Sequence, residues 1–286
     1  MTPAAVLYTF AIEAAQLAGW LALLCAIFVP LEHWFGERRP RLRRTQTGID
    51  LAYYFINSMV PTLILSVVMA AIAVATRRVL HGVPHYFAGL PFWWNAAATL
   101  VVSEFGFYWG HRWLHEIPFL WRFHAVHHSP ERVDWLVNTR AHPVDMVFNR
   151  LCGMVPLYAL GLTQAGPDEG GIAAVAVLIG GALWGFFIHA DLRWRFGWLE
   201  WAISTPAFHR WHHSNDAWRD HNYASMLPWI DRIFGTFHLP PRAMPESYGI
   251  DTKIPTTISG QTIAPFRRSW PREPVRPGVM IPGPVP

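Results

Sequence analysis

HRWLHEIPFLWRFHAVHH, residues 111–128, is the stretch around which the rest of the chain is organised. Its histidines follow the patterns H-x3-H and H-x2-H-H, at His111, His115, His124, His127 and His128. The second pattern recurs about eighty residues later, at His209, His212 and His213. Because residues four apart on a helix share a face, these patterns can direct several imidazoles into one cavity.

The H-x2-H-H pattern predicts that ligands are divided between two metal ions. On a helix, the histidines at i and i+3 share a face and the last one points about 100° away. We therefore expect each triplet to serve one ion with two rings and a neighbouring ion with the third. His189 and His142 add two imidazoles to the same region. This number exceeds what one four-coordinate zinc site uses and favours two metals with open positions.

A single buried histidine is more often a hydrogen-bonded core residue than a metal ligand. Several unpaired imidazoles buried together are different, because their desolvation without a metal would cost several kcal/mol. The clusters therefore predict a metal centre, although imidazole suits iron, zinc, copper and nickel alike. No H-E-x-x-H motif follows His115 and Glu116, so the sequence does not indicate a zinc hydrolase.

The composition indicates that lipid is the solvent. Hydrophobic residues make up 52% of the chain and charged residues 15%, whereas soluble domains carry about 25% charged residues. The 16 tryptophans suit the membrane interface. No basic stripe alternates with aromatic residues, which argues against nucleic-acid binding. Cys25 and Cys152 lie in apolar runs and are predicted to be packing thiols.

Apolar runs predict an all-α, multi-pass transmembrane bundle of about four to five membrane segments. They cover residues 4–29, 49–75, 92–110, 146–164 and 171–188. The last two runs form either two full spans or a re-entrant hairpin. The sequence divides into N-terminal membrane helices at 1–91, a catalytic domain at 92–239 and a proline-rich tail at 240–286.

The arginine-rich segment 37–44 is predicted to be a cytoplasmic loop by the positive-inside rule. Counting crossings from there puts every histidine motif on the cytoplasmic face, in a helical cap, and a bacterial inner membrane is the expected location. The glycine- and proline-rich segment 81–91 is predicted to be a loop or a short surface helix. The tryptophan-rich segment 192–203 is predicted to be a helix in the membrane interface. The tail is predicted to be an extended strap or partly disordered.

Several segments resemble, in consistent order, the fatty acid hydroxylase/sterol desaturase superfamily: HRWLHE, HAVHHS, RAHPVD, IHADL, TPAFHRWHHS and LPWIDRIFGTF. The likeness runs from about Glu104 to His238 and includes features of its C5-sterol desaturase and alkylglycerol monooxygenase types. It implies an integral-membrane enzyme with a non-haem di-iron centre and O2 as co-substrate. The iron ligands it implies are His111, His115, His124, His127, His128, His189, His209, His212 and His213.

The resemblance implies an oxidoreductase that hydroxylates or desaturates a lipid, whether sterol-like, fatty acyl or ether-linked. Two electrons would come from an external donor, for which a cytochrome b5-like protein, a ferredoxin and a reduced pterin remain open. Zinc is possible in the protein as isolated. The alternative is a membrane metal-binding or metal-transport protein without oxygenase activity.

Other polar residues near the motifs are candidates for supporting roles. His142, Glu116, Asp134 and Asp145 could bind metal or accept the free ring N–H of a ligand. Glu104 is a candidate for lining the substrate channel. Arginines beside the clusters could hold a lipid headgroup, pair with carboxylates or anchor at the interface: Arg112, Arg122, Arg140 and Arg210.

Overall fold

The computed structural model describes residues 2–36, 46–79, 91–162, 169–241, 243–267 and 270, and they are helical without a named strand. The described α-helices are α1 Pro3–Phe35, α2 Thr47–Val79, α3 Phe92–Glu116, α4 Pro118–His128, α5 Pro143–Ala159, α6 Glu169–His189, α7 Pro206–His212, α8 Trp229–Ile233 and α9 Ile258–Ile263. Short 3-10 helices are Trp135–Thr139, Gly197–Trp201, Ala217–Asp220 and Ala264–Phe266. The predicted all-α class is confirmed for these residues.

Helices α1, α2 and α6 are long and apolar enough to cross a membrane, over Leu7–Phe35, Thr47–Thr76 and Ile172–His189. Their outward side chains suit lipid, since Val67 in the middle of α2 is 71% exposed. Helix α2 continues through Pro61, a residue that membrane helices tolerate better than soluble ones. The predicted runs 92–110 and 146–164 fall on α3 and α5, which are helical but are not among these three candidate spans.

Some sequence predictions fall outside the described residues: the arginine-rich loop, residues 81–90 of the predicted loop, residues 163–168 of the turn before α6, and the tail beyond 270. The prediction of an interface helix over 192–203 is wrong, because this segment does not form one continuous helix. Only the 3-10 helix Gly197–Trp201 forms there. Gly197 has φ +60°, which interrupts a continuous α-helix, and the Arg195–Glu200 ion pair at 2.9 Å closes the turn instead. Trp198 and Trp201 are nevertheless exposed.

Helix α3 lies at the centre of the fold and packs against α5, α6 and α4. Its contact with α5 is close because glycines line it: a Cβ on Gly106 would lie 2.1 Å from the Cys152 carbonyl oxygen. A Cβ on Gly110 would lie 2.8 Å from the Cys152 side chain. Cys152 and Cys25 are free thiols and are half-buried. This close contact brings the end of α3 against the start of α5.

Polar contacts tie the membrane helices to the region that carries the histidines. Glu32 in α1 accepts backbone N–H groups from Trp135 and Asp191, each at 2.8 Å through Oε1. Asp50 in α2 accepts from Arg140 at 2.5 Å, and both side chains are buried. One carboxylate on each helix thus fixes loops that adjoin the predicted ligands, because a buried charge must find a partner.

Replacing Gly106 by alanine is expected to destabilise the protein, since the new methyl group would overlap the backbone of α5. Overpacking of this kind costs about 1–3 kcal/mol, which thermal unfolding in detergent would record as a lower Tm. Gly180→Ala is the matched control, because nothing lies within 4 Å of a Cβ at that helical position. Equal Tm values for the two variants would contradict the close α3–α5 contact.

Candidate metal centre

The nine predicted ligands come together in two adjacent groups, within each of which the candidate ring nitrogens all lie within 4.8 Å of one another. The five-histidine group is His111, His115, His124, His128 and His212. The four-histidine group is His127, His189, His209 and His213. Helices α3, α4, α6 and α7 supply these residues, so side chains from four separate parts of the chain converge.

Each H-x2-H-H triplet is divided between the two groups, as predicted, but the predicted division is wrong in detail. His124 and His128, at i and i+4, share the five-histidine group, and His127 joins the other one. His209 and His213 likewise share a group that excludes His212. The reason is geometric: i+4 lies about 40° from i around the helix and i+3 about 60° away on the opposite side.

The imidazoles are oriented by hydrogen bonds from Nδ1. Four donate to backbone carbonyls: His111 to Tyr223 at 2.8 Å, His127 to Arg140 at 2.8 Å, His189 to Gly185 at 2.7 Å and His212 to His221 at 2.9 Å. Two donate to carboxylates: His124 to Asp145 at 2.9 Å and His115 to Asp220 at 3.0 Å. Since a carbonyl oxygen only accepts, the proton is on Nδ1 and the Nε2 lone pair is free.

Free lone pairs face one another inside both groups. His111 Nε2 lies 3.1 Å from His124 Nε2, and His127 Nε2 lies 3.3 Å from His189 Nε2. Two unprotonated nitrogens cannot hydrogen-bond to each other, so these contacts are repulsive unless a cation lies between them. Nitrogens bound at right angles to one ion at about 2.1 Å are about 3.0 Å apart. The donor set therefore fits a metal ion in each group.

Buried nitrogens without a hydrogen-bond partner support the same fit. Within the described part of the chain they include His115 Nε2, His128 Nδ1, His209 Nδ1 and His212 Nε2. An unsatisfied buried polar atom costs about 1–3 kcal/mol. The Nε2 atoms of His115 and His212 are consistent with ligands that a cation completes, whereas in His128 and His209 it is Nε2 that faces the neighbouring rings.

Electrostatics keep the imidazoles neutral. Burial, together with repulsion from His124, lowers the pKa of His111 to about 3. Burial, followed by repulsion from neighbouring imidazoles, holds the pKa values of His127 and His213 well below the usual 6.5. Neutral imidazole is the form that binds metal, so the site is ready for ligation at pH 7.

The carbonyl that orients His111 is itself held in place. Asp231 accepts the backbone N–H groups of Tyr223 at 2.8 Å and Ala224 at 2.9 Å. Asn222 has φ 58°, a left-handed conformation that asparagine tolerates better than most residues. Its side-chain amide donates to the Phe208 carbonyl at 2.8 Å, which fixes this turn against α7.

Asp145 and Glu116, two of the residues predicted to support the ligands, have different kinds of partner in the structure. Asp145 accepts from a predicted ligand, His124, in agreement with the role proposed for it. Glu116 instead pairs with Arg112 at 2.7 Å on the surface, where its side chain is 47% exposed.

The remaining candidates have structural partners. His142 caps α5 by accepting from Val144 N–H at 3.1 Å, and its Nε2–H donates to the Thr262 carbonyl at 3.0 Å. Both of its nitrogens are therefore occupied, and it belongs to neither group. Glu104 accepts from the backbone of Met226 at 2.7 Å, so its carboxylate holds a loop. Asp134 caps the helix Trp135–Thr139.

Buried arginines near the groups form ion pairs. Arg210, between two histidines of α7, donates to Asp191, which also pairs with Arg132 at 3.3 Å. Arg140 pairs with Asp50. Of the roles considered for these arginines, pairing with carboxylates is the one that Arg140 and Arg210 adopt.

Sequence reasoning missed Asp220 and the four orienting carbonyls. Asp220 lies seven residues after His213, at the end of the 3-10 helix Ala217–Asp220, and its ring partner His115 is 105 residues away in the chain. Backbone carbonyls carry no residue-type signal, so no sequence pattern could have identified them.

Residues 96–236 match the profile of the family described as fatty acid hydroxylase. This segment is similar to the fatty acid hydroxylase family. This match includes all nine histidines of the two groups, and it agrees with the superfamily that the sequence motifs resemble.

Curated proteins that are similar to this chain act on lipids according to their names. The ornithine lipid hydroxylase of Rhizobium tropici is 40% identical over 185 residues, covering 64% of this chain and 54% of that protein. Human alkylglycerol monooxygenase is 34% identical over 146 residues, covering 50% of this chain and 31% of that protein. A Delta(7)-sterol-C5(6)-desaturase of Nicotiana tabacum is 29% identical over 149 residues, covering 51% of this chain and 50% of that protein.

The matched segment spans about half the length of the bacterial and plant relatives and about a third of the human one. No solved structure shows a significant match to the chain.

Asp145→Asn is expected to weaken divalent-metal binding, because the carboxylate that fixes the His124 ring loses its charge. Loss of such a partner typically costs about 10–100-fold in affinity, which competition with a chelator would measure. Glu116→Gln is the matched control, since this exposed carboxylate contacts Arg112. If both variants bind metal as the parent protein does, the orienting role of Asp145 is wrong.

Proposed function

We propose that this protein is a membrane-bound non-haem di-iron oxidoreductase that uses O2 and two external electrons to hydroxylate or desaturate a lipid. The observation that carries the proposal is the pair of histidine groups whose Nε2 lone pairs face one another at 3.1 Å and 3.3 Å. The fatty acid hydroxylase match and the lipid-acting relatives support the reaction class.

The five-histidine group would hold one iron ion and the four-histidine group the other. Nitrogen ligands of this kind suit iron, and zinc could replace it in the isolated protein. When bound, two irons supply the oxidising power that an unactivated lipid C–H bond requires.

The chain's own residues perform three tasks in this proposal. The carbonyls and carboxylates at Nδ1 fix six of the nine rings in one tautomer, so that these six need little reorganisation to bind metal. Burial of eight of the nine histidines limits access of water to the site. The ion pairs of Arg140 and Arg210 hold the backbone on which His127 and His209 depend.

The substrate class follows from the setting of the site. Three apolar helices adjoin the histidine groups, so a lipid can approach from the membrane. The names of the relatives cover an ornithine lipid, alkylglycerols and sterols, and we propose ornithine lipid as the first substrate to test. The electron donor is proposed to be a separate molecule: a cytochrome b5-like protein, a ferredoxin or a reduced pterin.

We propose that α3 and α5 also cross the membrane, in addition to the three candidate spans. We further propose that the histidine groups face the cytoplasm and that, in a bacterium, the membrane is the inner one. Helix α3 has 25 residues, enough for about 37 Å. Trp93 and Trp94 at its start are exposed, as interfacial tryptophans are. Residues 92–239 would then form the catalytic domain, and the match over 96–236 supports that division.

Reporter fusions test this topology. A fluorescent protein that folds only in the cytoplasm, fused after residue 45 or residue 240, is expected to fluoresce, because the arginine-rich segment and the histidines would share a side. Alkaline phosphatase, which is active only outside the cytoplasm, is expected to be active after residue 90. The opposite pattern would overturn the proposed orientation.

His127→Ala is expected to lower bound iron from about two ions per chain and to abolish the lipid product, since it removes a ligand from the four-histidine group. Metal analysis of detergent-purified protein gives the iron content. Mass spectrometry of lipids from cells expressing each variant gives the product, heavier by one oxygen for a hydroxylase and lighter by two hydrogens for a desaturase. His33→Ala is the matched control, because His33 is exposed on α1.

The second candidate function is a membrane metal-binding or metal-transport protein, which the many histidines favour. Metal flux in proteoliposomes without O2 consumption, together with unchanged lipids in a deletion strain under aeration, would support it against the oxygenase. The location of the histidines argues the other way, because a transporter should carry polar groups through the membrane midplane.

A further inference from the structure

An exposed apolar patch joins the start of α4 to the C-terminal segment. Phe119 is 60% exposed, Phe266 62% and Ile263 51%. The patch is continuous, because the buried Phe123 ring lies 5.4 Å from Phe119 and 5.1 Å from Phe266 between ring centroids. Large aromatic side chains left outside together indicate a surface that something else covers.

The C-terminal part of this patch, residues 258–267, is fixed to the catalytic domain. The Thr262 carbonyl accepts from His142 Nε2–H at 3.0 Å, and the Arg267 carbonyl accepts from Arg122. Gln261 is buried and donates to the Pro255 carbonyl at 2.8 Å. The exposed side chains of Ile263 and Phe266 therefore belong to a docked segment, which we call the C-terminal foot.

The depth of the foot follows from its link to α2. Asn57 donates to the carbonyls of Thr139 at 2.9 Å and Ala141 at 2.8 Å, so the residue before His142 lies level with Asn57. The candidate span in α2 covers Thr47–Thr76, and the two arginines that follow it in the sequence put its outer edge near Thr76. Residues 57–76 are about 30 Å long, the thickness of the hydrocarbon layer. Asn57, and with it the foot, therefore lies at the edge of that layer on the side of the histidine groups.

The charges around the patch suit lipid headgroups. Arg122 and Arg267 stand beside the exposed rings, and Arg267 is exposed. Arginines at this level attract the phosphates of anionic lipids, while aromatic and branched side chains enter the acyl boundary. A protein partner would not explain why the patch lies at the edge of the hydrocarbon layer.

We propose that the C-terminal foot and Phe119 dock on the lipid surface, with their apolar side chains in the boundary between headgroups and acyl chains. The lipid leaflet then meets the protein at Phe119 and Phe266, whose rings pack against Phe123, the residue directly before His124 of the five-histidine group. The C-terminal segment thus serves as a membrane contact in addition to the spanning helices.

Site-directed spin labelling in anionic-lipid nanodiscs tests the proposal. Phe119→Cys and Phe266→Cys are each labelled in a protein that also carries Cys25→Ala and Cys152→Ala. Val67→Cys, exposed in the middle of α2, is the reference for hydrocarbon, and Lys253→Cys, exposed and charged, is the reference for water. The ratio of relaxation by O2 to relaxation by a water-soluble nickel chelate reports the depth of each label.

Labels at 119 and 266 are expected to give O2-to-nickel ratios between the two references. Ratios equal to that of Lys253→Cys would overturn the proposal. So would spin–spin broadening that disappears on dilution with unlabelled protein, because it would assign the patch to a second copy of the chain. The measurement needs neither iron nor turnover, so its result is independent of the proposed oxygenase activity.

Discussion

Unprotonated ring nitrogens that face one another impose the constraint on which the structure depends. The Nε2 atoms of His111 and His124 are 3.1 Å apart, and neither carries a proton to share. Burial prevents relief by protonation, since the pKa of His111 is lowered to about 3. Only cations among the rings turn this repulsion into binding, which links the fold of the histidine region to its metal chemistry.

The scaffold around the rings is mainly backbone. Carbonyls of residues 140, 185, 221 and 223 accept from Nδ1 atoms, and carboxylates complete the set at Asp145 and Asp220. One of those carbonyls is in turn held by a buried acid, since Asp231 fixes the peptide of Tyr223. An orienting network of this kind rigidifies the ligands before metal binds, because each polar group has only one satisfactory arrangement.

Hydrogen bonds join the candidate membrane helices to the histidine region. Glu32 lies near the end of α1 and holds the loop that adjoins His189. Asp50 lies near the start of α2 and holds the loop that adjoins His127. Asn57 holds the loop before α5, and that loop holds the C-terminal foot. Short hydrogen-bonded paths therefore join the candidate spans to the predicted ligands, and Phe266 belongs to the segment that one of these paths holds.

The sequence by itself determined the helical class, the membrane setting and the identities of the nine histidines, because apolar composition and the spacing of residue types are local properties of the chain. Asp145 was also within reach, since a carboxylate close to a ligand motif is a recognisable signal. Tertiary structure alone decided which histidines share a group and which histidine Asp220 contacts. It also decided that Glu104 and His142 have structural roles and which carbonyls orient the rings. Those features depend on contacts between distant segments. Every residue carries the same backbone carbonyl, so the residue type does not reveal which carbonyl orients a histidine.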